Sequence, residues 1–235
     1  MKSFLSAAAA AALVLAALTG CSGGATTTSS GTDDEADATA ATAPAAPAAP
    51  AAPAWADTKY GTFTTLTQAG TGDSVVPLPE GATAGIVTLT HDGDANFIVQ
   101  MLDVNNQMTS DSLTNTIGAY SGSTAFGMMS LGETPASIQI TADGNWTMTV
   151  APVSTAVELP AGGTGDGVFL YSGDSASLAL THDGSANFIV DDFGDGMIDP
   201  SLVNEIGAYT GTVPIGAGPS VFVIRADGDW TATKS

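Results

Sequence analysis

The sequence predicts an all-β protein: two tandem antiparallel β-sandwich-like modules behind an export signal and a disordered stalk. Three observations carry this. The block Thr90–Val99 recurs as Thr181–Val190 with nine of ten positions identical. Short β-prone runs alternate with Asp-Gly turns, as at Ile86–Thr90 before His91-Asp92-Gly93. No stretch after Trp55 keeps a helical apolar period over about eleven residues.

Residues 1–20 have the layout of a secretory signal peptide. Lys2 is followed by an apolar run, Ala7–Leu18, and then by small residues. The run is far shorter than the roughly 20 residues that span a bilayer as a helix, and no later segment is longer. It ends Leu18-Thr19-Gly20-Cys21. This tetrapeptide resembles the lipobox of bacterial lipoproteins. The resemblance implies a diacylglyceryl thioether on Cys21, cleavage before it, and acylation of the new amino terminus, for example with palmitate. Two or three acyl chains hold a membrane stably where one does not. The expected location is therefore the cell membrane, lipid-anchored, facing the periplasm or the exterior of the cell envelope.

Residues 21–54 read as the lipidated cysteine and a disordered stalk. The segment opens on Gly, Ser and Thr and passes the acidic residues Asp33, Asp34, Glu35 and Asp37. It then enters an Ala-Pro tract with Pro44, Pro47, Pro50 and Pro53. A proline every third residue suits polyproline II, and nothing here offsets the entropy of folding. Fully extended, the stalk reaches about 100 Å at ~3.1 Å per residue.

Residues 55–152 and 153–235 form the two β modules. Beyond the long block, Gly70-Thr71-Gly72-Asp73 recurs as Gly163-Thr164-Gly165-Asp166. Ile117-Gly118-Ala119-Tyr120 recurs as Ile206-Gly207-Ala208-Tyr209. Ala142-Asp143-Gly144 with Trp146-Thr147 recurs as Ala226-Asp227-Gly228 with Trp230-Thr231. The order is the same in both copies, so each copy is one module of seven or eight short strands, and the boundary falls near Ala151–Ser154.

Charge narrows the range of partners. The chain carries 24 acidic and 4 basic residues, a formal net charge of −20. Loss of Lys2 with the signal makes the mature chain more negative still. Such a surface repels nucleic acid and anionic headgroups. The single cysteine excludes an internal disulfide and zinc sites built on cysteine pairs.

The candidate site residues are few. His91 and His182 recur, but the ligand set that Asp92 and Asp94 would complete does not, because Asp94 becomes Ser185 in the second copy. A turn histidine is favoured over a zinc ligand. Gly173-Asp174-Ser175 resembles the nucleophile block of the GDSL esterases. That family also needs an Asp-x-x-His pair near the C-terminus, and the last histidine here is His182. Asp191, Asp192, Asp195 and Asp199 make a weak calcium candidate, because Phe193 and Leu202 stand where an EF-hand-like loop places ligands. Trp146, Trp230, Tyr120 and Tyr209 are candidate ligand-contacting aromatics, with burial in the core as the favoured alternative.

These readings converge on a membrane-anchored lipoprotein with a non-catalytic tandem module in a binding or structural role, needing no cofactor. Its expected partners are the membrane, through Cys21, and a cell-wall glycan or an envelope protein. Carbohydrate binding and calcium-dependent adhesion are the alternatives. A hydrolase is disfavoured for want of a coherent catalytic set.

Overall fold

The computed structural model describes residues 53–235 except 130–131 and 196–199. The expected signal peptide, Cys21, the expected stalk through residue 52 and Asp199 lie outside the described residues. The first module contains β1 (Leu66–Thr71), β2 (Ser74–Pro77), β3 (Gly85–His91), β4 (Asn96–Asp103), β5 (Met108–Ile117), β6 (Tyr120–Phe126), β7 (Pro135–Thr141) and β8 (Asn145–Ala151). These strands form two four-stranded antiparallel sheets, ordered β1-β8-β3-β6 and β2-β7-β4-β5. Successive strands alternate between the sheets except at the β4–β5 hairpin, which is the strand order of a jelly roll.

The second module repeats this order. After β9 (Val157–Glu158) come β10 (Gly162–Thr164), β11 (Gly167–Tyr171), β12 (Ala176–His182), β13 (Asn187–Asp192), β14 (Ser201–Ile206), β15 (Tyr209–Ile215), β16 (Ser220–Arg225) and β17 (Asp229–Lys234). Its sheets run β10-β17-β12-β15 and β14-β13-β16-β11-β9. The short β9 is an addition, pairing parallel to β11.

Period-two patterning fills each sandwich. In β4, Phe97, Val99 and Met101 point inward and are fully buried. They meet Leu89, Ile138, Ile140, Met148 and Val150 in one core. Phe188, Val190, Leu180, Phe222 and Ile224 do the same in the second module. The outward rows of β3 and β8 are rich in threonine, whose branched side chains suit strands. Their hydroxyls pair across strands, as Thr90 with Thr147 at 2.5 Å and Thr181 with Thr231 at 2.6 Å.

A third apolar cluster joins the modules. Ile86 and Ala125, on the outer face of the first module, pack with Val168, Leu170, Val221 and Val223 on the outer face of the second. This is why β16 is buried along almost its whole length, whereas its counterpart β7 alternates. The chain crosses between modules through a 3-10 turn, Val153–Thr155, whose Val153 enters the same cluster.

A helix absent from the sequence expectation also lies here. The segment α1 (Ala54–Tyr60) is too short to show a helical period, yet it buries Ala56 and Tyr60, one turn apart, in the junction. Lys59 on this helix pairs with Asp195 at 2.7 Å. Among the described residues, no helix is long and apolar enough to cross a membrane.

Candidate functional site

The repeated histidines sit at the centre of a clasp between loops. His91 ends β3, is 4 % exposed, and stacks on Phe97 with ring centroids 4.4 Å apart and planes 5° from parallel. Its Nδ1 lies 2.9 Å from the Gly118 carbonyl oxygen. A carbonyl only accepts, so Nδ1 carries the proton and donates. Gly118 has a φ of +91°, and its N–H donates to the Ala95 oxygen at 2.8 Å. A left-handed turn is thus tied down at both its polar groups.

The other ring nitrogen of His91 faces Asp143, with Nε2 3.3 Å from Oδ1. Asp143 Oδ2 accepts the N–H groups of Asp94 (3.1 Å) and Ala95 (3.0 Å). Desolvation works to raise the Asp143 pKa, but the two N–H bonds outweigh it and hold the carboxyl below its usual range. In return, Asp92 on the first loop accepts the Asn145 backbone N–H at 2.6 Å and its side-chain amide at 2.9 Å. Those bonds hold Asp92 low as well. The two Asp-Gly turns therefore cap one another. They pass so close that a Cβ on Gly144 would lie 2.5 Å from the Gly93 nitrogen.

The second copy repeats this arrangement. His182 stacks on Phe188 at 4.6 Å, its Nδ1 donates to the Gly207 oxygen at 2.9 Å, and its Nε2 lies 3.3 Å from Asp227. Asp227 accepts the N–H groups of Ser185 and Ala186, both at 2.9 Å. The sequence offers Asp92 and Asp94 as carboxylates that could join His91 in a ligand set. The carboxylates that the structure sets against the histidines are Asp143 and Asp227, from a distant repeated block. Ser175 lies on an exposed loop, while His182 is buried with its Nδ1 bonded to Gly207 and its Nε2 set against Asp227, so the GDSL-like block has no histidine partner of that kind.

The tryptophans do not form a ligand platform. Trp146 is 2 % exposed and Trp230 is 3 % exposed. Each lies across the sheet from a glycine, Gly70 or Gly163, whose missing side chain makes room for the indole. Each indole N–H is satisfied internally, on the oxygen of Gly72 (2.9 Å) or Gly165 (3.0 Å). The repeated Gly-Thr-Gly-Asp block is thus a seat for tryptophan. Its aspartate closes the next turn: Asp73 accepts the Ala142 N–H and Asp166 accepts the Ala226 N–H.

Tyr120 and Tyr209 are half-buried against Phe97 and Phe188, with centroids 5.8 and 5.6 Å apart. Tyr120 has a further task, because its hydroxyl donates to Asp166 of the second module at 2.6 Å. Burial, with the Asp166 charge alongside, pushes the Tyr120 hydroxyl well above its ordinary pKa.

The calcium candidates do not converge among the described residues. Asp191 faces outward, 3.5 Å from Arg225 Nη1. Asp192 is the next residue on β13, points into the sandwich and is 2 % exposed. Asp195 is held by Lys59. Among the described residues, no cluster of three or more His, Cys, Asp or Glu side chains is arranged to hold a metal ion.

A groove of about 760 Å³ runs between the modules. Asp111, Asn115 and Tyr120 form one wall, and Asp166, Asn187 and Arg225 the other. Asp111 is pushed above the usual carboxylate range by its burial there. Arg225 is the sole arginine of the chain. No local sequence signal marks Asn115, Asn187 or Arg225, because only the packing of the modules brings them together. No protein-family model matches the sequence, and neither does any curated protein.

Proposed function

We propose that this chain is a lipid-anchored cell-envelope protein. It displays a rigid, non-catalytic pair of jelly rolls outward from the membrane for a binding or structural role. The observation that supports this most is the use made of the repeated polar residues. His91, Asp143, Trp146 and Asp73 all have internal partners, and so do His182, Asp227, Trp230 and Asp166 in the second copy. A catalytic histidine needs a nucleophile or an open ligand position beside it. Here one nitrogen is engaged by a carbonyl and the other faces a carboxylate that caps a loop. The calcium reading finds no support in Asp191 and Asp192, which project to opposite faces of one strand.

The anchor is tested by labelling with palmitate and by phase partition in Triton X-114. The full chain is expected in the detergent phase with label attached, and Cys21→Ala in the aqueous phase without it. Label and partition unchanged in Cys21→Ala would remove the anchor from Cys21 and overturn the reading.

A further inference from the structure

One repeated feature has no internal task. Ile117 and Ile206 occupy matched positions at the ends of β5 and β14, and they are 76 % and 79 % exposed. They are the most exposed large apolar side chains among the described residues. Directly across the strand pair stand Asn96 and Asn187. Two residues along, Ile98 faces Asn115, and Ile189 faces Asn204. Phe97 and Val99 point inward, so all four side chains of each set share the outer face of the sheet. Each module thus presents the same two-by-two checkerboard of asparagine and isoleucine.

The fold does not require this pattern. Asparagine is depleted in strands, yet it stands at two strand positions in each copy. Other positions on this outer face have diverged between the copies. Gln100 became Asp191, Gln139 became Val223 and Thr141 became Arg225. The eight checkerboard positions are identical, copy against copy. Four asparagines stay exposed, with both a donor and an acceptor on each side chain.

We propose that the two checkerboards, with the groove between the modules, form one extended site for a neutral polysaccharide bearing hydroxyl and acetamido groups. The inference rests on the reading of the chain as a non-catalytic envelope protein and names the ligand class of its binding face. Carboxamides pair with groups that both donate and accept, as sugar hydroxyls and acetamides do. The isoleucines cover the apolar C–H faces of the rings. The patch itself is uncharged, and a net charge of −20 repels polyanions. Two identical patches on one compact unit match a ligand whose units repeat. The groove links them, because Asn115 of the first patch and Asn187 of the second both line it.

Affinity electrophoresis of the full chain in non-ionic detergent tests this, in gels containing glycol chitin, pullulan or arabinogalactan. Retardation is expected in glycol chitin if acetamido groups are recognised, and in pullulan or arabinogalactan if hydroxyls suffice. Asn115→Ala with Ile117→Ser should weaken binding on the order of tenfold or more, through loss of bivalency. Adding Asn204→Ala and Ile206→Ser should abolish it, with an unchanged melting temperature showing that the fold is intact. Free migration of the wild type in all three gels overturns the proposal, as does undiminished retardation of the fourfold variant. A wild-type dimer in sedimentation, unretarded in the gels and lost in the fourfold variant, also overturns it and assigns the face to a second copy of the chain. Detergent partition of the same sample reports anchoring separately, so a wrong ligand and a wrong location give different results.

Discussion

At the scale of single residues, the two modules serve as controls for each other. Asp192 stands where the first module buries Met101 in its core. One Asp192 oxygen is buried with no hydrogen-bond partner among the described residues. Burial raises its pKa, and this outweighs the nearby Ser220 hydroxyl and the Lys59 charge. A folded carboxyl with a raised pKa binds its proton more tightly than the unfolded chain does. Stability therefore falls as pH rises from the ordinary value of about 4 through the raised one. Asp92, Asp143 and Asp227 have lowered values and act the other way. Their contribution is present at neutral pH and is lost as pH falls below about 4. Asp192→Asn is thus expected to raise the urea midpoint at pH 7, with the gain shrinking toward pH 4. An equal gain at both pH values would show that the carboxyl's charge is not what costs stability.

At the scale of elements, the clasp between Asp-Gly turns is the device that each module repeats. It also differs between them in two side-chain hydrogen bonds: Ser185 Oγ donates to Asp227 at 3.2 Å in the second module alone, and an amide donor to the first loop's aspartate is present in the first alone. In the first module Asn145 donates its side-chain amide to Asp92 and accepts from the Thr71 hydroxyl at 2.7 Å. In the second, the matched residue is Asp229. It accepts from Thr164 and gives Asp183 its backbone N–H at 2.8 Å, but its side chain carries no donor when ionised. Asp229→Asn supplies the missing donor and should stabilise the chain by about 1 kcal/mol. Asn145→Asp removes the donor from the first module and should cost a similar amount. Thermal melts of the two variants check this, and shifts of the same sign in both would refute the account. These hairpins were legible in the sequence because Asp-Gly between β-prone runs is a local signal. The pairing of His91 with Asp143 was not, since more than fifty positions separate them and their loops meet only after the sandwich closes. The tryptophan seat was illegible for the same reason: Gly70 and Trp146 become neighbours through strand register.

At the scale of the whole molecule, the repeat announced two modules, whereas the way they join depended on where the copies differ. Val221-Phe222-Val223-Ile224 is a continuous apolar run, while its counterpart Ser137-Ile138-Gln139-Ile140 alternates. The run marks a strand buried on both faces, and the alternation marks one with a solvent side. Val168 likewise is 6 % exposed in the junction, while its counterpart Val75 is 55 % exposed. The second module's outer face is therefore built to receive the first, and the first module's matching face is left open. Tyr120 adds a polar bond across the same junction, on an aspartate that also closes a turn inside the second module. The junction draws on α1 and both modules and contains ten buried apolar residues, enough to couple their unfolding. The chain is expected to melt in a single calorimetric transition whose van't Hoff and calorimetric enthalpies agree. Val223→Glu places an unpaired charge in the junction and leaves the second module's own core untouched, because Val223 is not part of it. It should split the melt into two transitions, one for each module. Gln139→Glu, at the matched but exposed position, should leave a single transition within about 0.5 kcal/mol of the wild type. A single transition in Val223→Glu at an unchanged temperature would mean that the junction carries no coupling, and that the modules are linked by the chain alone.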